Sequence, residues 1–91
     1  TVEDVCYFPA DNKYIAAVTA DSESLITTSL KDLAERLDPA MFWQIHRSVI
    51  VNINAIKSVR RALAGHLDLR LKQRPETLRV SAANAHLFRH M

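Results

Sequence analysis

Three polar residues, His46-Arg47-Ser48, stand between two apolar stretches at 42–45 and 49–51. A buried scaffold on either side pushes such a triplet out together at a turn. The planar guanidinium of Arg47 presents paired donors that match O6 and N7 of guanine, or a phosphate. His46 and Ser48 can each donate to a phosphate oxygen. The plainer alternative is that His46 bonds a backbone carbonyl and Arg47 makes a surface ion pair. A nucleophilic or nuclease chemistry built on His46, Ser48 and Asn52 needs a carboxylate to orient the imidazole and a glycine elbow beneath the serine. Neither stands close in sequence. His86 and His90 are four apart and would share a helix face, but no cysteine pair or acidic residue completes a ligand set. With one glycine in the chain there is no phosphate-binding loop. We therefore expect no catalysis, no metal and no cofactor.

Charge points the same way as the triplet. Residues 1–45 carry three basic and eight acidic side chains, a balance of −5, and residues 46–91 carry nine basic and two acidic, a balance of +7. Such a split offers an electrostatic face to an anionic partner. The competing expectation is that the halves neutralise each other within one fold. Ninety-one residues make one domain with a thin core. Hydrophobic residues at 48% and charged residues at 24% suit a soluble globular chain. No apolar run approaches the roughly 18 residues of a membrane span, and residues 1–5 lack the basic start and apolar stretch of a secretory signal. The single cysteine, Cys6, lies in an apolar stretch and reads as a buried thiol in a reducing, cytoplasmic setting.

The elements that must position these residues are mostly short strands. Strands are expected at 2–8, 14–19, 25–28, 42–45, 49–51, 56–63, 67–71 and 77–80, with turns at 9–12, 21–24, 46–48, 64–66 and around Pro75. The run Leu67-Asp68-Leu69-Arg70-Leu71 alternates strictly, so one face is buried and the other wet. One helix is well marked. Ser29 is its N-cap, Asp32 follows three residues later, and Leu30, Leu33, Ala34 and Leu37 form the apolar stripe. Asp38-Pro39 ends it. Barely two turns long, it cannot both bury that stripe and lie deep in a major groove. A short C-terminal helix is expected over 84–91, with Leu87, Phe88 and Met91 packing back. Phe42, Trp43, Tyr7, Phe8, Tyr14 and Phe88 read mostly as core.

The segment Phe42-Trp43-Gln44-Ile45-His46-Arg47-Ser48-Val49-Ile50-Val51-Asn52, with Ile53 and Ile56 after it, resembles the core block of the LytTR-type DNA-binding domains of bacterial response regulators. Asp11-Asn12-Lys13-Tyr14 resembles the family's Asp-Asn-x-Tyr element. Ser29-Leu30-Lys31-Asp32-Leu33 resembles its Ser-Leu-x-x-Leu helix, and Val80-Ser81 with 85–88 its C-terminal end. The likeness covers essentially the whole of 1–91, with the family's first strand shortened or missing upstream of Thr1. It implies a mainly β fold: an elongated stack of small, mostly antiparallel sheets with one short helix at about 29–37, a 3-10 turn near 53–55 and a short C-terminal helix. It also implies that loops, not a helix, enter successive major grooves of double-stranded DNA.

Three loops would do the reading. The first lies around Asn12 and Lys13, the second is His46-Arg47-Ser48 and the third follows Ser81. Arg47 would contact a base, and Lys13 a base or a phosphate. His46, Ser48 and Ser81 would fix the loops or hold phosphates. Lys57, Arg60 and Arg61 are further phosphate candidates, with salt bridges to the acidic half as their alternative role. The family often places Arg or another polar residue directly after the third-loop serine. Here Ala82 and Ala83 stand there, and Asn84 is the nearest substitute. The expected partners are duplex DNA with a repeated site, a second copy on that DNA, and an upstream receiver or sensor domain in the parent protein. The alternative is a protein-interaction or RNA-binding β module without base readout.

Overall fold

The computed structural model describes residues 2–11 and 14–89 of the chain. Eight strands form two antiparallel sheets. The larger sheet contains β1 (Tyr7–Pro9), β2 (Ile15–Val18), β3 (Glu23–Ile26), β4 (Phe42–His46) and β5 (Val49–Asn52) in the order β3-β2-β1-β5-β4. The smaller contains β6 (Ile56–Arg61), β7 (Leu67–Leu71) and β8 (Thr77–Val80) in sequence order. Among the described residues the one α-helix is α1 (Leu30–Arg36), and 3-10 turns occur at Val2–Asp4, Ile53–Ala55, Leu63–Gly65 and Ala82–Phe88. The described residues span 33 × 24 × 23 Å.

Side-chain alternation splits the core in two. One face of the larger sheet contributes Phe8, Ile15, Phe42 and Ile50, and Leu30 and Leu33 of α1 cover it together with Leu37 and Met41 just beyond the helix. The opposite face contributes Tyr7, Val18, Ile45 and Val51, which pack against Leu69, Leu71, Leu78 and Val80 of the smaller sheet. The layers are therefore helix, sheet, sheet. Cys6 is buried in the second core, and burial raises its thiol pKa above the ordinary value, with charges at Arg74 and Glu76 as lesser influences. Trp43 meets Phe88 edge-on at 5.1 Å, which docks the C-terminal turns onto β4.

Local chemistry explains the helix. The Ser29 hydroxyl accepts the N–H of Asp32 at 3.1 Å, which satisfies one orphan donor of the first turn. Leu37 leaves helical geometry two residues before Pro39 while its N–H still reaches the Leu33 carbonyl. Ala34, expected in the apolar stripe, is exposed; the seven-residue helix turns Leu30 and Leu33 toward the sheet, and Leu37 follows as its C-cap.

Four expectations are corrected. Residues 2–8 do not form one strand: Val5 N–H closes a turn onto the Val2 carbonyl, and pairing with β2 begins at Cys6. Pro9 is not a turn residue but the last residue of β1, opposite Val49 on β5. The turn falls at 11–14, where Tyr14 N–H reaches the Asp11 carboxylate at 2.8 Å. The β2–β3 turn is at 19–22, closed by Thr19 N–H onto the Ser22 carbonyl, so β3 starts at Glu23. The C-terminal helix starts at Ala82 as 3-10 turns, because Ser81 accepts Asn84 N–H three residues on; 90 and 91 lie outside the described residues.

The two sheets are braced by Glu76, in the β7–β8 connection. Its carboxylate accepts the Tyr7 hydroxyl of β1 at 2.6 Å and Arg74 Nε at 2.9 Å, while Arg74 Nη1 also reaches the Thr19 carbonyl at 3.4 Å. Burial pushes the Glu76 pKa up, but the bonds from Tyr7, from its own backbone and from Arg74 outweigh it, and the net pKa lies below the ordinary value. A depressed carboxyl pKa contributes stability above the unfolded-state value of about 4.3 and loses it as pH falls through the folded value. Glu76→Gln is expected to lower stability by about 1 kcal/mol at neutral pH, the scale of one partly exposed charge-assisted bond. The gap between variant and parent should close as pH falls through the depressed folded value. Urea melts across pH 3–8 check it, and a gap independent of pH would contradict the brace.

Candidate nucleic-acid interface

The loop 46–48 joins β4 to β5 at one end of the larger sheet. A register shift between Gln44 and His46 re-aims the end of β4. Within the loop, Ser48 N–H donates to His46 Nδ1 at 3.2 Å, and the Ser48 hydroxyl lies 3.0 Å from the same nitrogen. An Nδ1 that accepts a backbone N–H leaves the ring proton on Nε2, which is then a donor available to a ligand. Both side chains are half-buried, whereas Arg47 between them is exposed. Arg47 has no hydrogen-bond or ion-pair partner among the described residues.

Two neighbouring segments are tied to this loop by main-chain bonds. Ala10 N–H donates to the Ser48 carbonyl at 2.7 Å, which sets the turn at 11–14 beside it. Asn12 and Lys13 lie outside the described residues. On the other side, Ser81 N–H donates to the Ile45 carbonyl at 2.9 Å, with the Ser81 hydroxyl 3.4 Å from the same oxygen. Asn84 Nδ2 then donates to that hydroxyl at 2.8 Å. His46 and Arg47 line two grooves at once. One is shared with Ser48, Asp11, Tyr14 and the start of α1, the other with Gln44, Ser81, Ala83 and Asn84. The three segments thus form one contiguous face with Arg47 at its centre.

Not every candidate belongs to this face. Lys57 and Arg60 are exposed on β6 and line neither groove. Arg60 sits opposite Asp68 in the ladder, but Asp68 is met by Arg79 at 3.6 Å. Arg61 lines a third groove, with His66 and Arg89. Two ion pairs among the described residues, Arg74–Glu76 and Arg79–Asp68, both join groups of the basic half, so these carboxylates do not come from the acidic half. Among the described residues no cluster of three or more His, Cys, Asp and Glu could hold a metal ion, and no helix is long and apolar enough to cross a membrane.

The family model of the LytTr DNA-binding domain matches residues 1–91. The chain belongs to the LytTR family. A solved LytTr DNA-binding domain from Bacillus cereus superposes with a TM-score of 0.88 at 27% identity, covering 97% of this chain and 80% of that one. An uncharacterized response regulatory protein of Vibrio cholerae is 37% identical over 92 residues, covering 97% of this chain and 34% of its own length. The positive alginate biosynthesis regulatory protein of Pseudomonas aeruginosa is 35% identical over 71 residues, 78% of this chain and 28% of its own. The LytTR chain spans about a third of these curated relatives or less.

Two contributors to the LytTR face escaped the sequence reading. The sequence pattern places Gln44 within an apolar strand, yet it is exposed and lines the groove shared by Arg47 and Asn84. Its polarity within an apolar run was the available signal. Tyr14, expected in the core, is 46% exposed and lines the groove on the other side of Arg47.

Proposed function

We propose that this LytTR chain is the effector module of a bacterial transcription regulator and binds duplex DNA sequence-specifically in the cytoplasm. The loop 46–48 enters a major groove, and the segments at 11–14 and 81–84 approach the flanking grooves. The observation that carries this reading is Arg47: exposed, without a partner among the described residues, and central to two grooves. A buried strand pair and the His46–Ser48 bonds hold its backbone, so only side-chain freedom is lost when the fork of donors engages. Arg47 supplies base contact; the His46 imidazole, Ser48, Ser81 and Asn84 set the loops and meet phosphates. Lys13 and Asn12 add contacts from the first segment. Lys57, Arg60 and Arg61 add contacts to the phosphate backbone outside this face.

A face this small reads few base pairs. Two copies on a repeated site follow, together with a receiver or sensor domain elsewhere in the parent protein. The test is selection of a duplex from a random pool, then a salt titration of the winner. An enriched motif, with log affinity falling linearly in log salt by about 0.9 per phosphate contacted, is the expected result. No enrichment, with binding weak even at low salt, would overturn the reading in favour of a protein or RNA partner.

A further inference from the structure

The third groove is not absorbed by the three loops. It runs between the turn that joins β6 to β7 and the C-terminal 3-10 turns, and Arg61, His66 and Arg89 line it with Gly65, Ala85 and Phe88. Arg61 and Arg89 are exposed and have no carboxylate partner among the described residues. Phe88, buried and packed on Trp43, fixes the wall that precedes Arg89. Two guanidiniums left unpaired across one groove repel each other, and an oxyanion placed between them relieves that. His66 adds an orphan: its Nδ1 is buried without a hydrogen-bond partner among the described residues.

The groove is physically joined to the third loop. At Gly65 a Cβ would meet the Cβ of Ala82 at 3.5 Å, so the turn seats against the residue directly after Ser81. The turn holds its shape at a conformational cost, since Ala64 adopts left-handed geometry at φ 60° beside Gly65 at φ 78°. The short helix 82–88 thus has Ala83 and Asn84 in the groove of Arg47 and Ala85 and Phe88 in the groove of Arg61 and Arg89.

We propose that this groove is a fourth DNA contact, a phosphodiester clamp in which Arg61 and Arg89 hold the backbone beyond the third loop. It rests on the duplex-binding reading above. It carries no base information; it adds affinity and fixes the angle at which the loops enter their grooves.

The test pairs R61A/R89A with the parent protein on the selected duplex and on an unrelated one. The double variant is expected to bind both several-fold more weakly, by the same factor. Its salt slope should fall by about 1.8, at 0.9 for each of two phosphates. R61K/R89K should recover much of the loss, because a phosphate accepts a point charge as well as a fork. Ethylation interference on the parent protein gives an independent reading, with sensitive phosphates outside those of the loop sites. Parent binding with an unchanged slope in the double variant, or no extra sensitive phosphate, overturns the clamp and leaves the loop reading standing. A parent that selects no duplex overturns both.

Discussion

Asn52→Leu is expected to destabilise the protein by about 3 kcal/mol, the largest stability effect we predict for a single side chain here. Asn52 is 3% exposed at the end of β5. Its Nδ2 donates to the Val5 carbonyl at 3.0 Å and the Glu3 carbonyl at 3.3 Å, and its Oδ1 accepts the Asn54 N–H at 2.9 Å. One side chain thus secures the N-terminal turn and caps the 3-10 turn at Ile53–Ala55 that leads into β6. Leucine fills a similar volume but leaves these main-chain groups without partners. Each unsatisfied buried group costs roughly 1–3 kcal/mol, and those nearest the surface recover part of it from water. For a domain of this size, with total stability on the order of 5–14 kcal/mol, the loss is a large fraction. It corresponds to a fall in Tm of roughly 12–24 °C. Urea and thermal melts measure it, and a variant within 1 kcal/mol of the parent would refute the role. Asn52→Asp sharpens the test: near neutral pH it sets a buried carboxylate oxygen against the Val5 and Glu3 carbonyl oxygens, so it should cost at least as much as leucine, and part of the loss should be recovered as the carboxyl protonates at low pH.

That asparagine illustrates what a linear reading reaches. Elements set by local pattern were legible: β7 and β8 match the strict alternation of 67–71 and the run 77–80, and α1 matches its cap and leucine spacing. The loop 46–48 was legible too, because two apolar strands bracket three polar residues. Where propensity conflicts with long-range pairing the reading failed. Residues 2–4 are apolar enough for a strand only if Glu3 and Asp4 are ignored, and Pro9 remains in β1 because its neighbour Ala10 supplies the N–H that Ser48 needs. The contiguity of the face was invisible, since it depends on Ser81 meeting Ile45 across 36 positions, and the brace on Glu76 meeting Tyr7 across 69. No periodicity encodes such pairs. The likeness to the LytTR family supplied the idea that three separate loops act together, and the main-chain bonds to Ile45 and Ser48 supply its physical cause.

Arg47→Ala is expected to weaken binding to the selected duplex by roughly 1–3 kcal/mol, about 5- to 150-fold, the scale of one bidentate guanine contact. Binding to unrelated duplexes should fall far less, because base contact is what the variant loses there least. The replacement should leave the fold intact: Arg47 is exposed and bonds nothing among the described residues, so its removal orphans no buried group. Arg47→Lys separates fork from charge. Lysine restores attraction to phosphate but not two parallel donors, so it should regain non-specific affinity while discrimination between duplexes stays low. If the side chain instead holds a phosphate, alanine should weaken all sequences equally and lower the salt slope by about 0.9, and lysine should rescue both. Competition binding on selected and scrambled duplexes at two salt concentrations distinguishes these. The loop geometry gives reason to expect the first pattern. His46 and Ser48 lock onto each other and leave only Arg47 exposed in the triplet, so the residue most open to a ligand is the one whose donors are geometrically selective.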